Sequence, residues 1–269
     1  LSDYKEQIDK MCWSYSRLTS FGHCKYEFYL NYIINDDEQY LSEGNFFAES
    51  GSFVHEILAK VFSGEMTPDE AHQYFLDNFE DNICYKLKKK ETMQKTFELC
   101  SDYFAALDLS WLDKYEILGV ELKIKFKIAG YEFISFIDLL LKDKETGEII
   151  VVDHKSAPYP FKQNGEVKKN SQHSFDTYKK QMYLYSFAVL QKFGQLPTEL
   201  WWNHFKDGGK IAKIKFDPNE YDETVKWFAD TIHEIEEETE YPPSTDYFYC
   251  HNLCNFRASC EYVSKGSWK

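Results

Sequence analysis

The sequence predicts an α/β fold, and three observations carry that prediction. Apolar residues recur at helical spacing up to Trp111. From Val120 to His154 the period becomes two, which is the signature of strands. After Phe175 helical spacing returns, on either side of two further short strands. With 12 Gly and 7 Pro among 269 residues, the chain is too poor in turn formers for a many-stranded all-β fold.

Trp13 to Ile34 reads as a first helix, with Ser14 or Ser16 as its cap and Gly22 as a break near Cys24. An acidic, polar loop follows over 35–44. A second helix runs from about Phe53 to Phe62, burying Val54, Ile57, Leu58 and Val61, with His55 near its start. Thr67-Pro68 opens a long helical region, with the proline suited to a first turn. Lys86 to Lys90 interrupts that region as a solvated face or loop.

Val120, Leu122, Ile124, Phe126 and Ile128 alternate with Glu121 and three lysines, the pattern of a half-exposed strand. Ala129-Gly130 turns the chain into a second strand, Phe133 to Leu141, nearly continuously apolar apart from Ser135 and Asp138. Glu148 to His154 is a third strand, apolar on both faces at its centre and therefore expected inside a covered sheet. A polar connection leads to a helix over about Phe175–Phe193. Leu200 to Phe205 and Lys210 to Phe216 are strands joined through Asp207-Gly208-Gly209. Asp217-Pro218 starts the last long helix, which ends in the acidic run Glu234 to Glu240 and stops at Pro242-Pro243. The expected organisation is a helical region over 1–112, a core over 113–216, and a C-terminal helix with a cysteine-rich tail over 217–269, packed as one domain.

Apolar residues at 43% and charged residues at 28% describe a chain that buries a core. Its 31 basic and 45 acidic residues leave a net charge of −14, so a polyanion would have to be held by local positive charge. Lys86 to Lys90, Lys162, Lys168, Lys169 and Lys179 are the candidates. Arg17 and Arg257 are the only arginines, which argues against reading of base edges by Arg forks. No stretch reaches the ~18 to 20 apolar residues of a membrane span. No secretory pattern stands at the start, and a cytoplasmic location is expected.

The sharpest polar features lie on the strands. Asp153 and Lys155 are two apart and share a strand face, and a hairpin turning near Glu145 brings Asp138 beside Asp153. Two facing carboxylates repel unless a divalent cation, which prefers hard oxygen ligands, sits between them. A lysine there can orient, and help deprotonate, a water attacking a phosphodiester. A structural Asp153–Lys155 salt bridge explains the same pair. His55, read near a helix start, is a metal ligand type or a capping or core histidine. Gln181 and Tyr185, at i and i+4, share a helical face, which is also the ordinary pattern of packing.

In order along the chain these pieces resemble the RecB-like nuclease branch of the PD-(D/E)XK superfamily. The opening Trp13-Ser-Tyr-Ser-Arg-Leu-Thr-Ser-Phe-Gly-His-Cys24, the histidine motif Gly51 to His55, Ile137-Asp138, Val152-Asp153-His154-Lys155 and the Gln181 to Tyr185 helix carry the resemblance. It implies a restriction-endonuclease-like core, a mixed sheet flanked by helices. It implies that His55, Asp138 and Asp153 bind Mg²⁺ or Mn²⁺, with the His154 carbonyl as a further ligand. Lys155 is then the catalytic lysine, and Gln181 and Tyr185 line the nucleic-acid channel. Glu121 resembles an acidic position that precedes the metal motifs, though a surface salt bridge with Lys123 or Lys125 explains it equally well. Where the family usually carries a proline after the opening cysteine, this chain has Lys25.

Cys250, Cys254 and Cys260 follow Pro242-Pro243 and lack a fourth ligand for tetrahedral zinc or a four-iron cluster. The resemblance implies Cys24 as that ligand and a [4Fe–4S] cluster as the group. His251 is an alternative to Cys250, and structural zinc or unligated buried thiols are the alternatives to the cluster. Cys12, Cys84 and Cys100 read as core cysteines on helical faces. The expected function is a DNA exonuclease acting on ends, resembling the compact iron–sulfur nucleases of phages and CRISPR adaptation. Its partners would be DNA, as single-stranded ends or resected duplex, and proteins of recombination, replication or adaptation complexes. The rival readings are a non-catalytic DNA-end-binding module of the same fold and a structural zinc protein.

Overall fold

A computed structural model describes residues 4–34, 44–85, 87 and 89–264. In chain order the helices and strands are α1 (Lys5–Asp9), α2 (Tyr15–His23), α3 (Lys25–Phe28), α4 (Phe46–Phe62), α5 (Pro68–Asn82), α6 (Lys90–Ala105), β1 (Tyr115–Ile128), β2 (Tyr131–Asp143), β3 (Ile149–Lys155), α7 (Gln172–Phe193), β4 (Glu199–His204), β5 (Lys210–Lys215), α8 (Pro218–Glu237) and α9 (Glu261–Ser264). The expected loop over 35–44 lies outside the described residues except for Gly44, as do Lys86 and Lys88. No helix among the described residues is long and apolar enough to cross a membrane.

The chain divides into two units. One comprises Leu1–Asn45, Lys127–Ile134 and Asp222–Lys269, and the other Phe46–Phe126 and Ser135–Tyr221.

In the larger unit the strands run β1-β2-β3-β4-β5 in spatial order, a five-stranded mixed sheet among the described residues. β2 and β3 are antiparallel, β3 and β4 parallel, and β4 and β5 antiparallel. The long crossover between β3 and β4 carries α7, as a parallel neighbour requires. Every residue of β3 except Lys155 is buried, as its doubly apolar centre predicts. Leu139, Leu141, Ile150, Val152 and Trp201 form one core with Val54, Ile57, Leu58 and Phe62 of α4 and with apolar residues of α5 and α6. Asp153 and Lys155 alternate with Val152 and so belong to the opposite face.

α5 starts with a reciprocal capping box between Thr67 and Glu70, with Pro68 in its first turn. α7 stops at Gly194, whose φ of 72° places it in the left-handed region open to glycine. The turn between β4 and β5 needs two left-handed glycines, and a Cβ on Gly209 would stand 2.9 Å from the Tyr103 ring. α4 begins at Phe46, seven residues before the expected start, so Gly51 lies inside the helix and His55 at its middle.

In the smaller unit the expected helix from Trp13 to Ile34 is divided. Ser14 caps α2 by accepting from Arg17 N at 3.3 Å, and Gly22 remains helical. The break falls at Cys24, which is extended (φ −156°, ψ 109°) and caps α3 with its sulfur, accepting from Glu27 N at 3.4 Å. Trp13, almost fully buried, pairs with the tip of the β1–β2 hairpin through Trp13 N to Glu132 O and Ile134 N to Trp13 O. α8 lays Phe228 against Phe133.

Lys25 spans from α3 to the end of α8, with Nζ 2.7 Å from Glu234 and 2.6 Å from Glu238. Burial alone would raise the Glu238 carboxyl. The Lys25 ammonium and the backbone N–H groups of Glu240 and Thr239 override it and hold the carboxyl at about 2. A carboxyl depressed on folding stabilises above its unfolded value of about 4.3, and the gain is lost as pH falls towards about 2. Glu238→Gln is therefore expected to lower stability by about 1 kcal/mol at neutral pH, after allowance for partial exposure. Urea melts run across the pH range should show the difference from wild type closing below about pH 4.

Candidate active site

The site begins with a register. Leu139 pairs with Val152, Leu140 with Val151 and Leu141 with Ile150 across β2 and β3. One step further along the same ladder, Asp138 faces Asp153. Both side chains are buried, Asp153 to 2% exposure. Asp138 Oδ2 accepts from the backbone N–H of His154 at 2.7 Å, so the carboxylate is held by the strand it faces.

Asp153 Oδ2 lies 2.7 Å from Lys155 Nζ. The same ammonium donates to Gln181 Oε1 at 2.7 Å, and Gln181 Nε2 donates to Tyr185 OH at 2.7 Å. Lys155 Nζ also sits 4.7 Å from the centre of the Tyr178 ring. Tyr178, Gln181 and Tyr185 lie one turn apart on α7, so that helix supports the lysine from a single stripe. Gln181 and Tyr185 were expected from sequence; Tyr178, one turn earlier on the same stripe, was missed, although its i−3 spacing from Gln181 was a usable signal.

His55 reaches the site from the middle of α4. Its Nε2 donates to the His154 carbonyl at 3.0 Å, which leaves Nδ1 as a lone pair 3.5 Å from Asp138 Oδ2. Burial lowers the His55 pKa, so the ring is neutral and competent as a ligand. Glu121 enters from β1, where φ of 44° turns the backbone out of regular strand geometry. Gly119 precedes that turn, and a Cβ there would press to 2.9 Å on Leu122. One ligand atom each from His55, Glu121 and Asp138 lie within 4.8 Å of one another. Among the described residues Glu121 makes no ion pair with Lys123 or Lys125, the alternative the sequence left open.

The electrostatics follow from crowding. Burial, then the facing Asp153, pushes the Asp138 carboxyl well above its usual range. Partial burial and Asp153 likewise raise Glu121. Burial opposes charge on Lys155, yet the Asp153 carboxylate overrides it, so the ammonium persists. Three carboxyls thus meet one cation in a cleft of about 740 Å³, whose walls include Phe47, Ser52, Tyr178 and Phe205. An excess of hard oxygens with one imidazole nitrogen suits Mg²⁺ or Mn²⁺. The His154 side chain points away from this cleft. Its ring stacks on Phe62, its Nδ1 accepts from Asn203 Nδ2 at 3.1 Å, and it lines a separate cavity of about 390 Å³ with Trp111 and Trp201.

Three of the basic residues expected to bind phosphate are engaged elsewhere. Lys162 pairs with Glu166, Lys179 with Glu220 and Asp176, and Lys168 donates to the Tyr159 carbonyl. Glu166 and Asp176 stand four and three residues from their lysines, whereas Glu220 is distant in sequence from Lys179.

A second cluster lies in the smaller unit. Cys24, Cys250, Cys254 and Cys260 are all buried, three of them in one apolar group with Tyr26, Leu30 and Phe256. Cys24 Sγ accepts from Ser244 N at 3.2 Å as well as from Glu27 N. Glu27 is itself buried there and accepts a hydrogen bond from Tyr249 OH. Burial raises the Cys24 and Cys254 thiols and carries Cys250 to about 11, so without a metal they hold their protons. Among the described residues the ligand atoms close enough to share a single metal ion are those of His55, Glu121 and Asp138, and the thiols do not form such a group. His251 is turned away, stacked on Tyr247 with Nδ1 donating to the Tyr247 carbonyl. Of the cysteines expected in the core, Cys100 is buried on α6, whereas Cys84 is exposed beyond the end of α5 and Cys12 is half-buried between α1 and α2.

Residues 12–261 match the family model of the PD-(D/E)XK nuclease superfamily. A crystal structure from Eubacterium rectale, described as a "putative exonuclease", aligns with a TM-score of 0.52 at 13% identity, over 98% of this chain and 90% of that one. At that identity the likeness is one of fold. A search of curated proteins finds no match.

Asp138→Asn keeps an acceptor for His154 N–H while removing one of two facing carboxyls. In EDTA the variant is expected to melt higher than wild type, by about 1 kcal/mol. Added Mn²⁺ should raise the wild-type Tm by mass action and leave the variant unchanged. Thermal melts with and without Mn²⁺ check both halves.

Proposed function

Because this chain belongs to the PD-(D/E)XK nuclease superfamily, we propose that it hydrolyses phosphodiester bonds of DNA with a divalent cation, acting on ends as an exonuclease. The observation that carries this reading is the facing Asp138 and Asp153 with Lys155 held between Asp153 and Gln181. His55, Glu121 and Asp138 would hold the cation, with Asp153 beside them. A bound Mg²⁺ or Mn²⁺ supplies charge stabilisation on the phosphate oxygens and a more acidic water. Lys155, kept charged by Asp153, orients the attacking water and meets negative charge as it develops. Gln181 fixes the direction of the ammonium, Tyr185 fixes Gln181, and Tyr178 closes the other side of the lysine.

In this reading the four buried thiols hold a [4Fe–4S] cluster that staples the Cys24 break to the C-terminal tail, with no redox step assigned to it. The same donor set suits structural zinc, and the two are told apart by colour. DNA is the partner, joined by proteins of a recombination, replication or adaptation complex.

Lys155→Ala is expected to lower cleavage of end-labelled DNA by at least about a thousandfold while leaving folding and DNA binding near wild type. EDTA should stop the wild type, and Ca²⁺ should support binding without turnover. Wild-type-like digestion by a purified Lys155→Ala protein would remove Lys155 from the chemistry.

Protein purified without oxygen is expected to be brown, with broad absorbance near ~400 nm from sulfur-to-iron charge transfer. Cys24→Ala or Cys254→Ala should bleach it and lower solubility. A colourless protein with stoichiometric zinc would replace the cluster by zinc and leave the nuclease reading standing.

A further inference from the structure

The outer part of β2 shows strict alternation. Phe133, Ser135 and Ile137 are buried, whereas Phe136 is 49% exposed. Phe136 and Asp138 are two apart, so they share a face, about 6.6 Å from each other along the strand. An exposed phenylalanine therefore stands on the face of the carboxylates, one strand repeat outside the cleft. Lys123 of β1 holds its Nζ 5.6 Å from the Phe136 ring centre, which puts it on that face too. Lys125 is two residues further along β1 and exposed. Unlike Lys162 and Lys179, neither Lys123 nor Lys125 is spent on an ion pair among the described residues. In a chain of net charge −14, they are cations left available beside an acidic site.

We propose that Phe136 is a stacking platform for an unpaired base, with Lys123 and Lys125 on the adjoining phosphates, so that DNA enters the cleft as a single strand. The proposal rests on the nuclease reading for its ligand. Two features point to an unpaired base. A ring open to water gains by covering a base face, and in duplex those faces are already covered. Lys123 stands over one face of the ring and Lys125 follows it along β1, and neither presents a hydrogen-bond fork to base edges, which gives sequence-tolerant binding.

The test uses full-length protein in Ca²⁺ and fluorescein-labelled oligothymidylate of about 16 nucleotides, with a flush-ended duplex as comparison, read by anisotropy. Phe136→Ala, at an exposed position, is expected to weaken single-strand binding about tenfold and duplex binding by less than about twofold. Phe136→Trp should bind at least as tightly as wild type. Lys123→Ala and Lys125→Ala should each reduce the salt slope by about one. Single-strand affinity unchanged in Phe136→Ala, an equal loss on duplex, or no single-strand binding by wild type overturns the platform. Release of nucleotides with Mg²⁺ or Mn²⁺ is scored separately. Digestion without Phe136 dependence removes the platform and keeps the nuclease, whereas Phe136-dependent binding without digestion keeps the platform and removes the nuclease.

Discussion

Two carboxyls facing each other across the middle of a covered sheet are the constraint on which the larger unit depends. Asp138 and Asp153 are opposed because the β2–β3 ladder admits one register, set by apolar residues that must face the α4–α6 core. A slip of one residue would turn Leu139 and Val152 away from that core and separate the carboxyls. The forces that fold the sheet therefore also set the two carboxyls face to face. The cost of burying the acids is met locally, by Lys155 on one and by the His154 N–H on the other.

The smaller unit solves a different problem with similar means. Cys24 is at once a helix cap, an acceptor for two backbone N–H groups and a member of a buried thiol group. Lys25, next in sequence, pairs with two glutamates near the end of α8. One dipeptide thus joins the opening of the chain to two segments more than 200 residues later. Contacts of such long range are costly in loop entropy and need strong groups to hold them.

Much of this was legible in the sequence, and the reasons differ by residue. The switch of period after Trp111 and the apolar centre of β3 state the sheet directly. The interval from Asp138 to Lys155 contains a turn of suitable length, so the facing pair could be read. Gln181 and Tyr185 follow from helical spacing. What was not legible depends on backbone or on distant partners. The Cys24 break was missed because a thiol cap is outside the usual capping residues. The early start of α4 was hidden because Gly51 is a poor helix-interior residue. Glu121 reaches the site through a left-handed φ that no pattern of side chains announces. Phe136 lay concealed in a run of apolar letters, and only the alternation of burial along β2 separates it from Phe133.

His154 shows how differently neighbouring letters of one short motif are constrained. Its peptide group belongs to the cleft, donating to Asp138 and accepting from His55, whereas its ring belongs to the packing of Phe62 and Asn203 on the far side of the sheet. Any residue except proline offers the same peptide group. Sequence drift at 154 is therefore judged by how the far side packs, and drift at 153 and 155 by what the cleft can do. Between those two acidic and basic letters, the middle one is free to record the history of the core rather than that of the cleft.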